Sequence, residues 1–406
     1  MKVKDIKATL IAHGQQHLIS VLEALPVSER NSLLSQIEQI DWKTVELCKQ
    51  PERLRERGKL RPMCGMSLAD VANRRDEFMQ IGKQTISSGK VGAVLLAGGQ
   101  GTRLGSDLPK GAYDVGLTKP LYVFEQLINN LLEVCKQCNA YVPLFVMTSD
   151  KNDKDTKQFL AQHSYFGYPS NYVRFFTQQM APSVDLDGKL LLEGKAQLAL
   201  SPNGNGGWYS SLAKADVLKD FPSIEWLNVF AVDNVLQRIA DPVFVGATIA
   251  SGCNCGAKVV RKCDPYERVG VLCLEDGLPS VVEYFELTDE MANQHGADGK
   301  LAYCYGVILN YLFSLKKLRQ TAAQRIPVHV VKKKIPHLDG DGKLVTPDTE
   351  NGYKFETLII DMIRLMESCL PFEVVREREF APIKNKTGVD SVESARALLQ
   401  QNGIKL

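Results

Sequence analysis

The chain has 406 residues, 44% hydrophobic and 24% charged, a globular composition with room for two or three domains of about 150 residues. A formal net charge of +2 excludes a sequence-independent grip on nucleic acid or a membrane surface, so any polyanionic ligand must be met by charge gathered locally. The opening MKVKDIKATLIAHGQQHL lacks the apolar core and cleavage site of a secretory signal, and no run of about 18 apolar residues follows, so a cytosolic protein without membrane contact is expected.

Residues 1–88 show helical periodicity alone. Leu18, Val21, Leu22 and Leu25 share one face and Leu33, Leu34, Ile37 and Ile40 the next, which predicts an N-terminal helical segment or arm. From Val91 the texture alternates. The runs VGAVLLAG, VPLFVMTS, VRFFTQ, LNVFAVD, AKVVRK and FEVVRE read as strands, with helices near 119–134, 152–163, 208–219 and 354–368. That order predicts an α/β fold built on a mixed, mostly parallel sheet. Two steps, Asp187-Gly188 and Asp276-Gly277, lie between apolar runs and predict antiparallel hairpins. A catalytic domain over 89–385 and a short tail over 386–406 complete the expected division.

Ten cysteines in a chain of this size, without a secretory signal, are expected to be reduced thiols. Cys135 and Cys138 form a lone CxxC late in a helical stretch, and Cys253 and Cys255 form only a CxC, so neither a zinc ribbon nor a thioredoxin-like pair is completed.

The chemistry concentrates where the first strand ends. In LLAGGQGTRLGSDLPKG, residues 95–111, glycines 98, 99, 101 and 105 follow the apolar run directly, at the carboxyl end where ligands sit in open α/β sheets. Bare backbone lets N–H groups approach phosphate oxygens, and Arg103 and Lys110 add charge-assisted hydrogen bonds suited to a triphosphate. A P-loop would need Gly-Lys-Ser or Gly-Lys-Thr, which is absent, and a dinucleotide fingerprint would need glycine where Leu104 stands. A second class of enzyme has its elements here. Ser211-Leu212-Ala213-Lys214, Ser201-Pro202-Asn203 and Lys386-Thr387-Gly388 match those of the serine penicillin-recognising hydrolases, but in the wrong order.

The block LAGGQGTRLGSDLPKG, together with GQQHLISVLEAL near the start, resembles the eukaryotic UDP-sugar pyrophosphorylases, UTP:sugar-1-phosphate uridylyltransferases, and most closely their UDP-N-acetylglucosamine branch. FFTQQMAPS, SPNGNGGWYSSL, VFAVDN, ERVGVLC, VVEYFEL, KKKIPHLD, NGYKFE and EREFAPIKN follow in family order. The resemblance implies a Rossmann-like, GT-A-like nucleotidyltransferase core and the reaction UTP + N-acetylglucosamine 1-phosphate ⇌ UDP-N-acetylglucosamine + pyrophosphate. It places Ala97, Gly98, Gly99, Gly101 and Thr102 on the nucleotide, with Gln178 and the backbone of Gly204 on the uracil edge. Arg103 and Lys110 fall on the triphosphate, and Lys384 on the sugar phosphate. Asn205, Gly270 and Glu283 would contact the sugar, and Asp233 would coordinate Mg²⁺ or Mn²⁺. Taken alone, Asp233 reads equally as a turn or cap residue and Lys384 as a surface residue.

The chain also departs from the family pattern. Val307 stands where asparagine is usual, and Leu358 and Ile360 where aromatic residues are common, so a UDP-glucose or broad UDP-sugar pyrophosphorylase is the alternative. The C-terminal β-rich lobe of longer members is not seen, and a monomer is expected.

Overall fold

A computed structural model describes residues 3–49 and 57–406. The chain falls into two compact units, one of residues 1–56, 179–207 and 326–358, the other of 57–178, 208–325 and 359–406.

In the smaller unit, helices α1 (Val3–Ala12), α2 (His17–Ala24) and α3 (Val27–Glu38) bury the predicted stripe: Leu18, Leu22, Leu25, Leu33, Leu34 and Ile37 are all within the core. They share that core with Val184, Leu190, Leu198, Tyr353 and Phe355. The strand Gly352–Thr357 pairs antiparallel with Val328–Lys333 and with Val184–Asp185. The predicted helix over 354–368 is therefore a strand followed by a helix, Ile359–Leu365. Tyr353 and Phe355 alternate onto the core face, and that period of two prevails over the helical spacing of the later apolar residues. The Asp187-Gly188 turn forms as expected, with Gly188 at φ 81°. Gln15, fully buried, braces it: its amide donates to the Gly188 carbonyl at 2.9 Å and accepts from the Leu190 N–H at 2.8 Å.

The larger unit is built on a ten-stranded sheet. Its strands are β1 (Leu60–Arg61), β2 (Val91–Leu96), β3 (Leu144–Thr148), β4 (Val173–Thr177), β5 (Trp226–Ala231), β6 (Cys255–Arg261), β7 (Val271–Glu275), β8 (Leu278–Val282), β9 (Tyr305–Ser314) and β10 (Cys369–Glu373). Strands β4, β3, β2 and β5 lie side by side and parallel. The long β9 runs antiparallel between β5 and β6, and makes the sheet mixed. Asp276 and Gly277, both at positive φ, close the β7–β8 hairpin as the two-residue turn that matches strand twist. Helix α5 (Val123–Cys138) covers the parallel half through Phe124, Leu127, Leu131 and Val134.

The units cut across the expected boundaries at 88 and 385. Helix α4 (Arg75–Ser87) belongs to the larger unit, where it packs on α8, which follows α6 (Asp153–Gln162) and α7 (Trp208–Lys214) and spans Pro242–Ala250. A side chain on Gly82 would collide with the Pro242 carbonyl and one on Gly246 with that of Phe78, so the two glycines set the close approach. The C-terminal stretch is also integral: α9 (Val392–Gln401) buries Val392, Ala395 and Leu399, and Leu406 accepts from the Thr118 N–H at 3.1 Å. Among the described residues no helix is long and apolar enough to cross a membrane.

Candidate active site

The four parallel strands end on one line. Ala97 donates to the Met147 carbonyl at 2.8 Å, Gln178 to that of Thr148 at 2.8 Å, and Val232 to that of Leu96 at 3.1 Å. The segments that leave β2, β3, β4 and β5 therefore emerge together at their carboxyl ends, where an α/β sheet receives its ligand.

The loop after β2 is held by its own backbone. Gly101 donates to Leu108 at 3.0 Å, Leu104 and Ser106 donate back to Gly101 at 2.8 and 3.2 Å, and a single 3₁₀ turn, Thr102–Leu104, ends at Gly105 in the left-handed region at φ 71°. Ala97 is buried, while Thr102 and Arg103 are exposed on that turn. A side chain on Gly98 would run into the Gln178 amide, which places this buried glutamine directly over the start of the loop.

Asn152 is the residue that sequence reasoning missed. Fully buried, it donates from Nδ2 to the carbonyls of Ala97 at 2.9 Å and Gly99 at 3.2 Å, and accepts at Oδ1 from the Ser149 N–H at 2.8 Å. Both carbonyls are thereby tied to one buried side chain, which fixes the backbone at the start of the loop. Its signal in the sequence is an asparagine three residues after the strand-ending Ser149, which reads simply as a helix-start residue. Loss of two such hydrogen bonds is worth about 1–2 kcal/mol, so Asn152→Ala should weaken binding of a phosphate ligand held on the loop by about five- to thirtyfold. A ligand held elsewhere should be affected far less, and titration of each ligand in turn will show equal losses if the asparagine merely supports the fold.

Charge gathers beside the loop. Lys110 enters on a short 3₁₀ turn behind Pro109, and its Nζ lies 2.7 Å from Asp233 Oδ1, with the two side chains 13% and 40% exposed. Asp233 follows the end of β5, and its carbonyl accepts from the Ile383 N–H at 2.8 Å. Asn234 fixes the same strip by donating to the Glu379 carbonyl at 2.7 Å and accepting from the Ala381 N–H at 2.9 Å. Lys384 thus leaves directly from the backbone that borders Asp233, and its Nζ meets Asp390 Oδ2 at 2.9 Å.

A second group forms where β9 passes the β7–β8 hairpin. Gly270 accepts from the Val307 N–H at 2.9 Å, and a side chain at Gly270 would stand 3.4 Å from Val307 and 3.9 Å from the Glu283 carboxylate. Glu283 is held through its N–H, which donates to Glu286 at 2.9 Å, while Arg57 clamps Glu286 at 2.6 and 3.0 Å. Leu309, two residues beyond Val307, has φ 53°, a conformation that costs a branched residue energy and that coincides with the register shift between β6 and β9.

Gly204 and Asn205 lie in the smaller unit. Gly204, at φ 85°, approaches Thr357 so closely that any side chain would strike its carbonyl, and Thr357 also donates to the Asn203 carbonyl at 2.7 Å. Leu358 ends that unit, whereas Ile360 belongs to the larger one.

The donor set at Asp233 fits an oxygen-ligated divalent ion, Mg²⁺ or Mn²⁺, only if the ligand supplies most of the donors. Among the described residues no cluster of three or more acidic, histidine or cysteine side chains exists, so the half-exposed Asp233 would hold Mg²⁺ together with phosphate oxygens brought by the ligand. All ten cysteines are free. Burial pushes the Cys138 thiol up to about 11 and raises Cys135, so the CxxC pair remains protonated and unsuited to metal or redox work. Ser211 is buried on α7, which removes it as an exposed nucleophile.

A sequence model of the family described as UTP–glucose-1-phosphate uridylyltransferase matches residues 29–406. The UDP-N-acetylhexosamine pyrophosphorylase-like protein 1 of Mus musculus is 37% identical, the match covering 98% of this chain and 84% of that protein. The UDP-N-acetylglucosamine pyrophosphorylase of Saccharomyces cerevisiae is 35% identical over 95% of this chain and 86% of its own length. Among solved structures, the uridine diphosphate N-acetylglucosamine pyrophosphorylase of Trypanosoma brucei, crystallised with an inhibitor, superposes with a TM-score of 0.83 at 26% identity, covering 99% of this chain and 85% of that one. The match runs through the glycine loop, the strip after β5 and the C-terminal lysine block alike, and the chain belongs to the UTP–glucose-1-phosphate uridylyltransferase family.

Proposed function

We propose that this protein catalyses UTP + N-acetylglucosamine 1-phosphate ⇌ UDP-N-acetylglucosamine + pyrophosphate. The observation that carries the reading is the Lys110–Asp233 pair set beside a glycine loop at the shared carboxyl ends of β2 and β5. Relatives named for N-acetylhexosamine or N-acetylglucosamine pyrophosphorylase activity, matched over nearly the whole chain, support the N-acetylated sugar over glucose.

The reaction asks for positioning and charge rather than a nucleophile from the protein. A phosphate oxygen of the sugar phosphate attacks the α-phosphorus of UTP in line, the bond to the bridging oxygen breaks, and pyrophosphate leaves with that oxygen and its electron pair. In this reading the loop from Ala97 to Thr102 cradles the phosphates, Gln178 and Gly204 take the uracil edge, and Arg103 and Lys110 stabilise charge on the departing pyrophosphate. Lys384 holds the incoming phosphate, and Asn205, Gly270 and Glu283 orient the sugar. Asp233 would hold Mg²⁺ or Mn²⁺, which supplies further neutralisation of phosphate charge. A cytosolic monomer is the state we propose, and ten free thiols suit a reducing compartment.

The deciding experiment measures pyrophosphate release from UTP with N-acetylglucosamine, N-acetylgalactosamine, glucose and galactose 1-phosphates in parallel. N-acetylglucosamine 1-phosphate should give the highest kcat/KM, and a higher value for glucose 1-phosphate overturns the assignment. Val307 sets a second expectation. Half-buried against Gly270 and near Glu283, its side chain offers no hydrogen bond. A hydrogen bond gained there is worth about 0.5–1.5 kcal/mol, so Val307→Asn should lower KM for N-acetylglucosamine 1-phosphate by about two- to tenfold. Unchanged sugar kinetics would place Val307 outside the sugar pocket.

A further inference from the structure

We infer that Lys386 is an additional cation of the phosphate site, one that grips the outer phosphates of the nucleotide and the free pyrophosphate; the assignment of those ligands rests on the function proposed above. Lys386 is the first residue of the Lys-Thr-Gly step, and no motif assigned it a role in this fold. Its location gives it one. A side chain built at Gly105 would stand 2.9 Å from Lys386 Nζ and 3.2 Å from its Cε, so the ammonium group lies against the outer end of the glycine loop, beside the turn that carries Arg103.

The segment that presents it is fixed at both ends. Lys384 and Asn385 donate to the Asp390 carbonyl at 2.6 and 3.2 Å, and Val392 donates to the Asn385 carbonyl at 3.0 Å. Gly388 and Asp390, at φ 85° and 53°, turn the chain back, and Ser391 caps α9, whose apolar face is part of the core. Lys386 is therefore carried on a closed turn anchored in the core.

Among the described residues its charge has no counter-ion. Lys110 faces Asp233 and Lys384 faces Asp390, whereas no carboxylate of the described residues lies within ion-pairing distance of Lys386 or of Arg103. Two uncompensated cations that border bare loop backbone make a field that attracts an anion of high charge, and UTP and pyrophosphate are the most highly charged species in the proposed reaction. Placement against Gly105, the last glycine of the loop and next to the turn that carries Arg103, assigns Lys386 to the outer phosphates rather than to the nucleoside.

The test is calorimetric binding of inorganic pyrophosphate with Mg²⁺ to the whole chain, for the wild type, Lys386→Gln and Lys386→Arg, with UMP as the control ligand. Removing one exposed charge-assisted contact should raise Kd for pyrophosphate by about three- to tenfold in Lys386→Gln, flatten its dependence on salt, and leave Kd for UMP unchanged. Lys386→Arg should retain the wild-type affinity. An unchanged pyrophosphate Kd in Lys386→Gln overturns the inference, as does an equal rise for UMP, which would mark general loosening of the loop. A wild type that does not bind pyrophosphate overturns it too. If the wild type binds pyrophosphate through Lys386 but transfers no uridylyl group, the proposed function fails while the cation site stands.

Discussion

Replacing Lys110 with alanine should lower kcat/KM for UTP by about two to three orders of magnitude, the usual cost of removing one donor aimed at developing charge in a sheltered site. The expectation rests on how the side chain is held. Pro109 fixes the entry to the 3₁₀ turn, the side chain is only 13% exposed, and Asp233 keeps it extended toward the end of β5. Alanine removes a positive charge and also releases the Asp233 carboxylate, so the phosphates meet one cation fewer and one uncompensated anion more. Lys110→Arg should recover part of the loss, since the charge returns in a different shape. Asp233→Asn separates the two roles: turnover should then demand far more Mg²⁺, with the charge on Lys110 intact. Initial rates in the pyrophosphorolysis direction measure all three variants. Turnover of Lys110→Ala within a few-fold of wild type would remove this lysine from the phosphates.

Much of this region was legible in the sequence because its signals are local. A continuously apolar strand that breaks into glycines can be read without knowing its neighbours, and so can the Asp276-Gly277 turn, whose two positive φ values are a property of the step itself. The apolar stripe of α2 and α3 is equally self-contained. What stayed hidden depends on partners far along the chain. β9 is apolar nearly throughout, with no alternation to mark it as a strand, and its place antiparallel between β5 and β6 is fixed by pairing across more than 40 residues. Its one internal polar residue, Asn310, is buried and meets Asn228 on β5 at 2.8 Å, a pairing that neither residue announces. Gly82 and Gly246 each mark where another backbone comes close, which the local sequence around neither of them shows. Asn152 looked like a cap and instead organises the glycine loop. The proximity of Lys384 to Asp233 was implied only by resemblance, because the hydrogen bonds of Asn234 that bring the strip together join residues about 150 positions apart.

The same strip makes the strongest prediction about stability. Lys258 sits in the middle of β6 with no exposed surface, and its Nζ meets Glu379 at 2.5 Å, the Arg238 carbonyl at 3.0 Å and Asp241 at 3.4 Å, with the Phe244 ring 5.5 Å away. Lys258→Met keeps the length of the side chain and removes its charge, which leaves two largely buried carboxylates facing one another. Breaking a buried ion pair from one side costs about 3–5 kcal/mol, on the order of a 10 °C fall in Tm for a unit of this size. Burial pushes the Glu379 carboxyl up from its ordinary value and the Lys258 ammonium pulls it back, so without the lysine the carboxyl titrates higher still. A group whose folded-state pKa is raised contributes stability at low pH that is lost as pH rises, and the deficit of Lys258→Met should therefore shrink as the solution is acidified through the carboxylate range. Lys258→Met/Glu379→Leu should regain part of the loss, because the second change removes one of the two stranded carboxylates and the repulsion between them. Denaturant melts of the single and double variants decide the matter: a single variant within about 1 kcal/mol of wild type means that the carboxylates reach water or a proton without cost. Catalysis should follow the same pair, since the Glu379 carbonyl is the acceptor for Asn234 beside Asp233 and the chain runs on from there to Lys384. A fall in kcat of Lys258→Met, measured well below its Tm and restored in the double variant, would tie the buried charge to the placement of the phosphate-binding strip; kcat unchanged in the single variant would confine it to stability.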